Sequence, residues 1–218
     1  MFIGHYAAAL AAKAAAPRAP LWGLMGAAQL MDIAFSGFLI AGLERFRVDP
    51  SLPGNPAVLE HMPWSHSLPA ALVWSAAAAG LARLLDLPWR ICAVIGGVVF
   101  SHWILDWITH RPDLELWFGG PKVGLGLWNL PVAEMALEVG LVAVAGAAWV
   151  ARRKEGHQSA WPAILYLTLL CGLAVLFALP SPPPESQVFM GVSGIVMFLV
   201  IAGLAWPIDR SWRRPDHG

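Results

Sequence analysis

The feature that most constrains this chain is a succession of apolar stretches, each about twenty residues long, separated by short segments rich in Pro and Gly. A helix that crosses a bilayer needs roughly 20 mainly apolar residues at ~1.5 Å rise each. Six stretches reach that length: Leu21 to Leu43, Leu68 to Leu85, Ile91 to Thr109, Leu130 to Val150, Ala160 to Leu179 and Val188 to Trp206. The opening stretch, Phe2 to Ala16, is shorter and carries His5 and Lys13, so it reads as a seventh short span, a half-buried helix or an interfacial one. Composition agrees, since 58% hydrophobic against 13% charged residues is more apolar surface than one soluble core of 218 residues can hide. The expected fold is all-α, a polytopic integral membrane bundle of six or seven transmembrane helices. One bundle is expected throughout, with residues 1–155 carrying the polar positions and residues 156–218 adding a C-terminal pair of helices and a basic tail that pack or anchor.

Charge gives orientation but no soluble partner. The formal net charge is zero, so nothing points to nucleic acid. Cys92 and Cys171 both sit in apolar runs and form no disulfide framework. On alternate sides of the spans the 14 Lys and Arg divide ten to four: Lys13, Arg18, Arg83, Arg90, Arg152, Arg153, Lys154, Arg210, Arg213 and Arg214 against Arg45, Arg47, Arg111 and Lys122. The richer side, which includes the C-terminus, is expected to be cytoplasmic. The 44–66 and 111–128 loops then face outward, and Trp22, Trp64, Trp89, Trp117, Trp128, Trp161, Trp206 and Trp212 fall near span ends, where the headgroup zone suits them.

Five of the seven histidines, His5, His61, His66, His102 and His110, lie in the first half of the chain beside Asp32, Asp106 and Asp113. An ionised side chain in the hydrocarbon region costs about 2.5 to 3.5 kcal/mol on insertion scales, so Asp32, His102 and Asp106 point to function. A single such residue is about as often only a bond to a neighbouring helix. His102, Asp106 and His110 follow at i, i+4 and i+8, which holds them within about 80° on one helix face. His102 and His110 are nonetheless about 12 Å apart along the axis, too far for one ion bound at about 2.0 to 2.1 Å. The economical solution is a multi-metal site in which Asp106 bridges and each histidine supports a different ion. Asp113, just past Pro112, is placed to ligate or to orient a ligand, and the run from His61 to Ser67 brings two imidazoles to the membrane surface. Asp32, near the middle of its span, is a ligand or a general base. Glu134 and Glu138 repeat the i, i+4 spacing and complete the shell or support it, while His157 and His217, in basic segments, read as inert.

These motifs resemble a known family. Gly4-His5, Asp32 after Ala28-Gln29-Leu30-Met31, Ser65-His66-Ser67, and Ser101-His102 followed by Leu105-Asp106 and Thr109-His110 are similar to the LexA-regulated YdjM type of bacterial inner-membrane protein, described as metal-dependent hydrolases. The resemblance covers roughly residues 1 to 113 and implies a hydrolase without naming its substrate. The order of the motifs is also similar to the zinc-dependent phospholipase C and P1 nuclease group, in which three zincs cleave phosphoesters. That likeness implies His5, His66, His102, Asp106 and His110 as ligands, Asp106 bridging, and Asp32 as the base. It departs at Met1, where that group carries a processed N-terminal Trp, and at Glu134-x-x-x-Glu138, where it carries His-x-x-x-Glu.

The expected function is hydrolysis of a phosphoester or lipid ester by metal-activated water at the outer face, with two or three divalent ions, zinc foremost, and membrane lipid as the accessible substrate. The rival is an ion- or proton-coupled transporter, which needs polar residues continuing inward. Val94 to Phe100 offer none.

Overall fold

A computed structural model of the chain describes residues 1–179 and 186–209. The Pro-rich segment 180–185 between the last two expected spans, together with Arg210, Trp212, Arg213, Arg214 and His217, lies outside the described residues. After a 3-10 turn at Ile3–His5 the elements are α1 (Tyr6–Ala15), α2 (Leu21–Ala28), α3 (Leu30–Ile40), β1 (Arg45–Val48), β2 (Ala57–His61), α4 (Pro63–His66), α5 (Leu68–Leu84), α6 (Trp89–Thr109), β3 (Leu114–Glu115), β4 (Lys122–Val123), α7 (Pro131–Glu155), α8 (Trp161–Ala178) and α9 (Gln187–Ala205).

Four helices, α6 to α9, are long and apolar enough to cross a membrane, and α2 with α3 forms a fifth, bent by 52°. The described residues therefore contain four or five candidate spans where the apolar runs predict six or seven. The shortfall has local causes. α5 is apolar but stops at 17 residues, because Asp86 turns the chain at φ 61 and Pro88 begins the next helix. α1 has only ten residues and is no surface helix: Tyr6, Ala9 and Leu10 are fully buried. Its alanines let it pack closely against α2 and α7.

The run from Leu21 to Leu43, expected as one span, breaks at Gln29, whose backbone (φ −111°, ψ 10°) leaves the helical region. The break is held by tertiary bonds. Gln29 Nε2 donates to the Phe2 carbonyl at 3.0 Å, and the Ala28 carbonyl, at the end of α2, accepts from His102 Nδ1 at 2.7 Å. Beyond the break, α3 packs tightly on α9. A Cβ at Gly191 would lie 2.6 Å from the Ser36 carbonyl oxygen, and one at Gly194 2.9 Å from Ser36 Oγ.

The two ends of the bundle differ in kind. At one, Lys13 Nζ bonds Pro17 O, Ala19 O and Asp209 Oδ1 at 2.6, 2.7 and 2.8 Å, drawing α1 toward the end of α9. At the other, the expected loops form two small antiparallel hairpins, β1–β2 and β3–β4. Arg111 locks them together, donating to Asn55 O at 2.9 Å, Pro53 O at 2.7 Å and Asn129 Oδ1 at 2.7 Å. Lys122 adds bonds to Leu59 O and Glu60 O at 2.9 and 2.8 Å. Gly54, at φ +69°, lets the first hairpin's loop approach so closely that a Cβ there would stand 2.3 Å from Trp128 O. The hairpins thus make a cap over the end of α6 that carries His102, Asp106 and Thr109.

Candidate metal centre

Beneath this cap, α6 places Asp106 at the centre of the polar cluster. Its carboxylate is 2% exposed and divides its neighbours between its two oxygens. Oδ2 lies 3.1 Å from His102 Nε2, one turn earlier on the same helix, and 3.5 Å from His66 Nε2, delivered by α4. Both imidazoles also face Asp32 Oδ1 on α3, at 3.6 Å from His102 and 3.3 Å from His66. Asp32, His66, Asp106 and His102 therefore close a ring of four donor atoms. Neighbouring donors in this ring stand 3.1 to 3.6 Å apart, close to the about 3.4 Å between ligand atoms on an ion bound at about 2.0–2.1 Å, while the sets compact enough for one ion divide Asp32 from Asp106.

The other oxygen, Oδ1, faces His5 Nε2 at 3.1 Å, His110 Nε2 at 3.4 Å and the Met1 amino group at 3.5 Å. His5 lies flat on His102, ring centroids 3.6 Å apart and planes 3° from parallel, which joins the two sets. Two compact groups could hold a metal ion: His5, Asp32 and His102, and His66, His102 and Asp106.

The orientation of the rings supports that use. A histidine ligand presents one bare nitrogen and has its other N–H held by an acceptor. His102 gives Nδ1–H to Ala28 O. His66 Nδ1 is 2.7 Å from Ser65 Oγ, which bonds Glu44 Oε2 at 2.6 Å. His110 Nδ1 is 3.2 Å from Asp113 Oδ1, and Asp113 is steadied by the Leu59 amide at 3.3 Å. In all three, Nε2 turns toward Asp106. Buried atoms left without a hydrogen-bond partner include His102 Nε2, Asp106 Oδ1 and His5 Nδ1. Orphaned polar atoms are costly, and cations held by this cluster would relieve that cost at His102 Nε2 and Asp106 Oδ1. The donor set thus fits a divalent metal.

Of the sequence candidates, His5, Asp32, His66, His102, Asp106 and His110 come together, and Asp113 lies behind His110. Glu138 accepts from the Phe2 amide and so holds the turn that carries His5. Glu134, one helical turn before it on α7, makes no hydrogen bond or ion pair with the centre. His61 is not brought in: it is 44% exposed and pairs with Glu115 at 3.1 Å. Glu44 was not among the candidates, because a lone acid at the end of a span has no spacing relation to Ser65 or His66. Burial pushes its carboxyl up, against bonds from Ser65 and Trp64 that pull it down.

No curated protein and no solved structure matches the chain, so the likeness to zinc-dependent phospholipase C rests on motif order alone. The family comparison reaches well beyond the motifs in the first 113 residues: residues 1–179 match the YdjM inner membrane protein family, and the chain belongs to that family.

Proposed function

We propose that this membrane protein is a metal-dependent hydrolase that cleaves a phosphoester or lipid ester at the extracytoplasmic face. The observation that carries the reading is the ring of Asp32, His66, His102 and Asp106, whose neighbouring donor atoms stand 3.1 to 3.6 Å apart, with His66, His102 and Asp106 buried and compact enough for one ion. The second oxygen of Asp106, with His5 and His110, would hold a second ion. When bound, the ions supply a Lewis acid and bring the pKa of a water at the site toward about 7. The chain's own groups do the rest. His66 and His102 keep Nε2 bare, while Ala28, Ser65 and Asp113 fix the rings. Asp32 gives Oδ1 to the ring and keeps Oδ2 to accept a proton from water.

Asp32 is 21% exposed where Asp106 is 2% and His102 1%, so the ring is most open on the Asp32 side. That side belongs to α3, inside a candidate span, which favours a lipid substrate reaching the centre from the bilayer. In this reading α5, lying along α6, makes a sixth crossing, and the Lys- and Arg-rich end and the C-terminus are cytoplasmic.

The test is turnover by zinc-loaded protein in lipid nanodiscs, against phospholipids and soluble phosphoesters. Cleavage of at least one class, abolished in Asp32→Asn, is expected. Zinc-loaded wild-type protein that cleaves neither contradicts the proposal.

A further inference from the structure

Resting on the metal-centre reading, we propose that Glu44 is a positioning residue which, through the Ser65 hydroxyl, fixes His66 in the tautomer whose Nε2 lone pair faces Asp32 and Asp106. Glu44 follows α3, is fully buried, and has no cation bonded to it among the described residues. A carboxylate kept out of water without a counter-ion is expensive, so its hydrogen bonds must define what it does. Oε1 accepts from the Trp64 and Ser65 amides at 2.7 and 2.8 Å, which fixes the carboxylate on the first turn of α4. Oε2 accepts from Ser65 Oγ at 2.6 Å.

The rest follows from counting protons. A serine hydroxyl has one hydrogen, and here the carboxylate takes it. Its oxygen can then only accept from His66 Nδ1, at 2.7 Å, so Nδ1 carries the ring hydrogen. A neutral imidazole has a single N–H, and Nε2 is left bare. That atom lies 3.3 Å from Asp32 Oδ1 and 3.5 Å from Asp106 Oδ2. The polarity of the chain from Glu44 to Ser65 to His66 thus makes His66 a donor to a cation.

Glutamine at position 44 reverses this polarity with almost no change of shape. Its oxygen must stay on the two backbone amides, so its NH2 faces Ser65 Oγ and donates to it. The hydroxyl then donates to Nδ1, and the ring hydrogen moves to Nε2, where it blocks ligation. Ser65→Ala, by contrast, only removes the guide. The near-isosteric Glu44→Gln should therefore be the more damaging change, and Ser65→Ala should partly rescue it.

Two readouts on the full chain test this. The first is the ring-nitrogen 15N shifts of metal-free, histidine-labelled protein at about pH 8, above the ordinary histidine range, with His66 assigned by its loss in His66→Gln. His66 should carry its hydrogen on Nδ1 in the wild type and on Nε2 in Glu44→Gln. The second is zinc affinity by chelator competition, with metal-free melting temperatures checking the fold. Glu44→Gln should weaken zinc by more than the about 10- to 100-fold typical of a lost orienting partner, Ser65→Ala by less, and the double variant should fall between the wild type and Glu44→Gln. Unchanged affinity or an unchanged tautomer in Glu44→Gln overturns the role of Glu44 alone. A wild type that binds no zinc overturns the metal-centre reading, and this proposal with it.

Discussion

The two oxygens of Asp106 face neighbourhoods of unequal order. Around Oδ2 the donors close a ring, and His66 and His102 each have their far nitrogen anchored. Around Oδ1 only His110 is anchored that way. His5 Nδ1 is orphaned, and its Nε2 lies as close to Met1 O, 3.1 Å, as to the carboxylate. One carboxylate can thus serve a preorganised site and a looser one, and binding strength follows preorganisation more than the number of ligands.

The largest expected effect breaks the ring itself. His102→Ala removes an imidazole that, like His66, contacts both Asp32 and Asp106 and that alone of the two stacks on His5, and activity should drop by more than the roughly 100-fold typical of a lost orienting partner, with the tight zinc gone by metal analysis. His110→Ala sharpens the contrast: one zinc should leave the looser side while the ring keeps its own. Loss of both ions together would mean that the two sides are one site.

A smaller effect comes from outside the polar cluster. Gly191→Val adds side-chain atoms where even a Cβ would stand 2.6 Å from the Ser36 carbonyl oxygen, one helical turn beyond Asp32. Overpacking of this kind costs about 1–3 kcal/mol. Displacement of α3 should weaken the ring ion and leave the looser one unchanged, as read by stepwise chelation. The smallest effect is His61→Ala, which should leave zinc content intact and stability within about 0.5 kcal/mol, because the His61 ring is 44% exposed and pairs with Glu115 away from the centre.

The same contrast separates what was legible in the sequence from what was not. The i, i+4, i+8 run of His102, Asp106 and His110 announced a carboxylate between two imidazoles, since helix geometry alone puts the histidines a turn to either side of Asp106. The long apolar helices were equally legible, because hydropathy over twenty residues is a local property. The break at Gln29 was not. It is secured by Phe2 and His102, which are 27 and 73 positions away, and no proline marks it. The hairpins over the centre were hidden by prolines at 50, 53 and 56 that read as plain loop. The end of α5 was almost legible: the apolar run to Leu85 passes the observed helix end at Leu84 by one residue, just before the backbone turns at Asp86.

Zinc counted per chain in purified protein, wild type beside Asp106→Asn, tests the central claim most directly. Two equivalents in the wild type, one surviving chelation longer than the other, and neither retained by a folded Asp106→Asn protein, is the predicted result. A wild type without zinc, or an Asp106→Asn protein that keeps the full complement, contradicts it.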